Sequence, residues 1–132
     1  MSTSGTPTEG LDLIGTRVYV DGADLTLVAY TNTADSLDAD SVYADLTQPT
    51  SSNGYAPILL NGTWTATDGI MTYVHSTPTN PQWDATGTWS AVVTGVAIVS
   101  GTSTLVHFKD LGSAFTAASG KKLAVDLDTV LA

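Results

Sequence analysis

Apolar positions along this chain recur with the two-residue period of a pleated strand, and no segment keeps a helical period for more than two turns. The longest apolar run, residues 92–109 (VVTGVAIVSGTSTLVHFK), is interrupted only by the small polar turn at 100–103. Two β-branched arms around a glycine-containing connection predict a β-hairpin, because glycine supplies the positive φ that such turns need. The first arm is apolar on both faces over residues 96–99, which predicts a strand lying between two layers. Neither arm approaches the roughly 20 apolar residues of a membrane helix. Upstream, residues 24–31 place Leu25, Leu27 and Ala29 on one face and Thr26, Val28 and Tyr30 on the other, predicting a second strand.

Weaker signals fill in the rest. After an apolar cluster at 11–14, residues 17–20 (RVYV) are the first predicted strand. Residues 33–41 are acidic and rich in turn formers, an exposed loop; 42–46 read as a short edge strand and 47–54 as a second loop. Residues 55–60 are extended, with Pro57 confining them to a sheet edge or a strand start because proline cannot donate to the ladder. Asn61-Gly62 and Asp68-Gly69 are the two strongest hairpin signals, and together they predict a meander of 58–60, 63–67 and 70–75. Residues 77–87 (TPTNPQWDATG) read as a loop with Trp83 exposed at its centre, and 112–120 as a small-residue connection. A terminal strand at 122–127 sets Leu123, Val125 and Leu127 against Lys122, Ala124 and Asp126. Eight or nine short antiparallel strands separated by turns predict an all-β fold, a β-sandwich or a jelly roll.

At 132 residues the chain has the size of one domain, with residues 1–10 as a flexible arm and 11–132 as the folded unit. The arm, small and polar with Pro7, buries too little to offset its ordering entropy, so it is either a solvated tail or ordered only against a neighbour. Only 13% of residues are charged, about half the usual fraction, which suits pleated sheets better than the charged outer face of a helix. The net charge of −9, from 13 acids against 4 bases, excludes a basic stripe of the kind that binds nucleic acid. The absence of cysteine excludes disulfides and thiolate metal sites. The N-terminus has neither the basic nor the apolar region of a signal peptide.

Candidate chemistry is sparse. Asp35, Asp38 and Asp40, with Asp45 nearby, resemble a calcium loop in composition, but counting from Asp38 there is no glycine at the sixth position and no glutamate at the twelfth. These carboxylates read as a solvated loop. His75 and His107 lie on different predicted strands and lack a third ligand, so no metal is expected. No serine sits in a nucleophile elbow and no glycine-rich phosphate loop is present, so no catalytic residues and no cofactor are expected. Trp64 and Trp89 read as core. Trp83, beside Asn80, Gln82 and Asp84, reads as a contact for a protein neighbour or, in second place, as a platform for a sugar. The candidate partner-binding residues are therefore Thr6 and Pro7 of the arm, Asp35, Asp38 and Asp40 of the acidic loop, and Asn80, Trp83 and Asp84 of the tryptophan loop.

The order Tyr30-Thr31-Asn32, Gly54-Tyr55-Ala56, Trp64, Gly95 to Ser100, Leu105 to Phe108 and Leu123 to Leu127 resembles small virion structural proteins of tailed bacteriophages, over residues 24–130. The resemblance implies a non-enzymatic capsid decoration or cement protein that binds the major capsid protein on the outer shell and bridges its subunits. It also implies a homo-oligomer such as a trimer, made in the host cytoplasm, with no nucleic-acid or membrane partner. The alternative is a tail-associated subunit or a carbohydrate- or receptor-binding module. The residues themselves fit a protein that works through its surface: strong negative charge keeps many copies soluble before assembly.

Overall fold

The computed structural model describes residues 7–20, 24–75, 80–101, 104–127 and 129–130. Among these, the chain is mostly β, with one short helix. Strand β1 (Leu25–Tyr30) pairs antiparallel with β2 (Ile58–Leu59) on one side and with β6 (Val93–Ser100) on the other. Strand β7 (Thr104–Phe115) completes a four-stranded sheet ordered β2-β1-β6-β7. A second sheet holds β3 (Thr63–Thr67), β4 (Ile70–Val74) and β9 (Thr129–Val130), and a two-stranded ribbon joins β5 (Gln82–Asp84) to β8 (Lys122–Ala124).

The predicted central hairpin forms as β6 and β7, with Gly101 at φ 60 in its turn. The apolar character of β6 on both faces has a direct cause, since both faces of its sheet are covered. On one side Leu27, Ala29, Val96 and Ile98 join Trp64, Met71 and Tyr73 of the second sheet and Trp83 of the ribbon in one continuous cluster. On the other side Val28, Tyr30, Ala97 and Val99 form a second cluster, closed by Leu37 of the acidic loop, by Tyr43 and Leu46 just after it, and by Leu105 and Phe108. The segment read as a solvated loop is thus also a lid on the back of the sheet.

Strand β7 is an edge, and it is an irregular one. Val106 is the extra residue between Leu105, opposite Val99, and His107, opposite Ile98. Residues 111–114 intervene between Asp110 and Phe115 where β6 has only Thr94 between Gly95 and Val93. Such bulges, with Lys109 exposed between them, discourage a second chain from pairing along this edge.

Several local expectations are corrected. Residues 8–15 form helix α1 (Thr8–Gly15), entered through Pro7 in extended geometry with Glu9 in its first turn, so the expected flexible arm ends earlier than residue 10. Thr6 lies outside the described residues. Residues 17–20 are a π-helical turn (Thr16–Val20) and not a strand. That turn brings Tyr19 against Trp64, ring centroids 4.7 Å apart, and this buried contact outweighs the strand propensity of Val18 and Val20. The expected edge strand at 42–46 is a 3₁₀ turn (Tyr43–Asp45), closed as the Val42 N–H donates to the Asp45 carboxylate at 2.8 Å.

The two glycine turn signals part company. Asp68-Gly69 has positive φ at both residues, 53° and 78°, and joins β3 to β4 as predicted. Asn61-Gly62 makes no hairpin. The chain there passes from one sheet to another, because β2 pairs with β1 and β3 with β4, and the expected meander is not formed. Gly62 is required for close approach instead: a Cβ on it would lie 2.2 Å from the Val74 carbonyl oxygen. The terminal strand forms a ladder over Lys122–Ala124, the Val125 N–H adds a bond to the Pro81 carbonyl at 2.9 Å, and Val125 and Leu127 continue the buried face.

Candidate interaction surface

The polar residues singled out in the sequence are mostly fasteners. The Tyr30 ring is fully buried over Gly95, and its hydroxyl donates to Asp110 Oδ1 at 2.5 Å. The other Asp110 oxygen accepts the Asp35 N–H at 2.7 Å, with Asp35 held at φ 62. Asn32 accepts the Thr47 N–H at 2.9 Å and donates to the Asp45 carbonyl at 2.7 Å. The Thr94 hydroxyl donates to the Asn32 carbonyl. The Thr31 N–H donates to the Thr47 carbonyl at 2.7 Å, so Tyr30, Thr31 and Asn32 pin residues 35–47 to the sheet at both ends. Asp38 and Asp40 stay exposed, and the Asp40 N–H donates to Asp38 Oδ1 at 2.9 Å, as in a solvated turn.

Trp83 is not the exposed ring that its proline-flanked, polar surroundings suggest. It is 2% exposed, its Nε1–H donates to the Ala56 carbonyl at 2.7 Å, and its ring packs 5.7 Å from that of Tyr55. Tyr55 continues the stack to Trp89 at 5.2 Å, and Trp89 to Phe115 at 5.7 Å. Gly54, at φ 90, lies so close to Asp84 that a Cβ would sit 2.1 Å from its carbonyl oxygen. Asn80 is half-buried, and Asp84 is exposed beside Lys122 at 3.9 Å. The Trp83 ring is thus unavailable as a contact for either a protein or a sugar.

The ionisable groups in unusual surroundings serve the same packing. Burial raises the Tyr30 hydroxyl, and the Asp110 charge beside it adds to the effect. Burial pushes Tyr55 up to about 12. The Tyr30 hydroxyl and then the Asp35 N–H hold Asp110 below the usual carboxylate range, while burial, with Lys109 nearby, lowers His107. His107 lies in β7 whereas His75 follows the end of β4, and His75 Nδ1 is bonded to the Tyr73 hydroxyl at 2.6 Å. Both lowered groups bind fewer protons folded than unfolded, so both make acid destabilising. The His107 contribution is complete above roughly pH 6.5 and is lost as pH falls through its folded value; that of Asp110 is lost below roughly pH 3.9. Urea melts across this range are expected to show stability falling in two windows, the first flattened in His107→Gln and the second in Asp110→Asn.

Among the described residues, one short segment carries several exposed apolar side chains, and sequence reasoning missed it. Helix α1 docks on the β3–β4 hairpin, where Asp12 Oδ1 accepts the Gly69 N–H at 2.8 Å and Leu11 reaches Gly69. Gly15 and Tyr19 follow Leu11 at four-residue steps and are buried. Other apolar side chains of this segment are exposed: Leu13 at 59% and Ile14 at 53% on the helix, and Val18 at 37% and Val20 at 49% in the π-helical turn that follows. A shallow cleft bordered by Pro7, Glu9, Gly10 and Leu13 adjoins this segment. The signal was present in the cluster at 11–14, but which of its residues face out emerges only once the helical phase is fixed.

The chain matches no family model, no curated protein and no solved structure.

Proposed function

We propose that this chain is a non-enzymatic virion structural protein, a capsid decoration or cement protein that binds the outer shell and bridges capsid subunits. The observation that carries the reading is the exposed apolar segment of Leu13, Ile14, Val18 and Val20. Exposed apolar side chains grouped on one short segment mark an interaction surface, because each costs solvation free energy until something covers it. Further support comes from the polar residues of the sequence pattern. Tyr30, Asn32 and Tyr55 of that pattern, with Asp110 and Trp83 as their neighbours, hold the fold together, so the recognisable features of the chain are spent on a scaffold. A sandwich suits this role, and one cluster drawing on all three sheets is what packed layers produce.

The test is cosedimentation of the full chain with shells purified from the phage that encodes it. Saturable pelleting, and a higher temperature of shell disruption when the chain is bound, are the expected results. A chain left in the supernatant at every concentration overturns the reading. Replacing Leu13 and Ile14 by Ser is expected to leave stability within about 0.5 kcal/mol, as for ordinary surface changes, while weakening pelleting.

A further inference from the structure

We propose that Asn61-Gly62 is a site of self-modification, at which the glycine nitrogen attacks the asparagine carboxamide while Tyr73 and His75 take up its proton. The chain has two asparagine–glycine pairs, and the fold treats them oppositely. The Asn53 carboxamide is clamped. Its Nδ2 donates to the Thr88 carbonyl at 2.7 Å, and Gly87 packs so tightly against it that a Cβ there would lie 3.0 Å from its Cγ. Asn61 is exposed, and no hydrogen bond among the described residues holds its carboxamide. Its Cγ is therefore free to turn towards the Gly62 nitrogen, and the bond between them closes a five-membered ring.

What sets Gly62 apart is where its N–H points. It donates to the Tyr73 hydroxyl at 2.8 Å, and the same hydroxyl is bonded to His75 Nδ1 at 2.6 Å. Because that oxygen accepts from Gly62, its own proton is left to donate to the imidazole. The register of the β3–β4 hairpin builds this line: Thr63 pairs with Val74, so Gly62 falls beside residues 73–75. Asp68-Gly69 also sets a base on its glycine N–H, Asp12 Oδ1 at 2.8 Å, but a carboxylate resists attack at its carbon and has no ammonia to lose.

The step needs only water besides the chain. The Gly62 N–Cγ bond forms as the Gly62 proton passes to Tyr73 and that of Tyr73 to His75. The Cγ–Nδ2 bond then breaks, and Nδ2 leaves as ammonia with the proton that the imidazole gives back. Water opens the cyclic imide at either carbonyl, leaving aspartate or isoaspartate at position 61. Either product adds a negative charge to a chain of net charge −9, in the cleft that Asn61 shares with Asp24 and Trp64. Isoaspartate also lengthens the main chain between β2 and β3, where a Cβ on Gly62 would already lie 2.2 Å from the Val74 carbonyl oxygen.

The test is to age the full chain at neutral pH, digest it, and follow each asparagine by mass spectrometry, with aspartyl and isoaspartyl peptides separated by chromatography. Asn61 is expected to lose its amide faster than Asn53, and its rate should fall about tenfold in Tyr73→Phe and in His75→Gln, less than for a general base in direct contact. His75→Gln keeps an acceptor for the Tyr73 hydroxyl but supplies no base. A merely structural role for His75 would therefore leave the rate unchanged, and loosening of the turn would raise it. Either result overturns the inference, as does loss of the Asn53 amide at the rate of Asn61. Should Tyr73→Phe fail to fold by circular dichroism, His75→Gln, at the half-buried end of the line, decides alone.

Discussion

Gly95→Ala is expected to cost this domain most of its stability, about 4 kcal/mol or more of the 5–15 kcal/mol that single domains have. A Cβ on Gly95 would lie 2.1 Å from both Cζ and Oη of Tyr30, well inside any contact that real atoms make. Neither side can give way. Gly95 is paired directly opposite Tyr30 in the β1–β6 ladder, and Tyr30 is 0% exposed with its hydroxyl bonded to Asp110. The ring must leave its seat, which forfeits a buried aromatic side chain, a loss of roughly 3–5 kcal/mol, and takes the Asp110 and Asp35 bonds with it. The acidic segment loses its fastening at the same time. Urea denaturation monitored by far-ultraviolet circular dichroism measures the cost, and the pair makes a sharper check. Adding Gly95→Ala to Tyr30→Ala should cost little more than Tyr30→Ala alone, since the clash has gone. Full additivity of the two substitutions would mean that ring and glycine do not meet.

That pair also shows which parts of the fold could be read from the chain and which could not. Strand β1, the β6–β7 hairpin and the Asp68-Gly69 turn were legible because their signals are local: a period of two, β-branched side chains, and a turn needing two positive φ angles. Asn61-Gly62 carries the same local signal as Asp68-Gly69 and leads elsewhere, because the partner of β2 is set by β1, which lies more than thirty residues back in the chain. The apolar cluster at 11–14 and the stretch 17–20 were each short enough to suit either period, and for 17–20 the docking of Tyr19 on Trp64 decided it. The three-residue pattern Tyr30-Thr31-Asn32 stood out in the sequence, but its role did not. Tyr30 depends on Gly95 and Asp110, which no local rule links to it. The exposed apolar segment was illegible for the same reason, since Leu11 and Leu13 look equivalent until one of them is seen to meet Gly69.

Trp83→Ala separates the two readings of the tryptophan loop most directly. On composition alone the ring is an exposed contact, and its removal should change binding while leaving stability within about 0.5 kcal/mol. The structure predicts the opposite order of effects. At 2% exposure, stacked on Tyr55 and bonded through Nε1 to the Ala56 carbonyl, Trp83 holds the β5–β8 ribbon against the rest of the core. Its truncation should cost roughly 3–5 kcal/mol, the range for large buried aromatics. Trp83→Phe keeps most of the ring and loses the hydrogen bond, so it should cost less, about 1–2 kcal/mol from the unpaired Ala56 carbonyl and the smaller side chain. The same loss should appear as disturbed packing of Tyr55 and Trp89, visible as a change in near-ultraviolet circular dichroism under conditions where the variant is still folded. A binding defect in Trp83→Ala would then be interpretable only alongside Trp83→Phe. Were Trp83→Ala as stable as the parent, the stack from Trp83 to Phe115 could not be part of the core, and the tryptophan loop would return as a candidate surface.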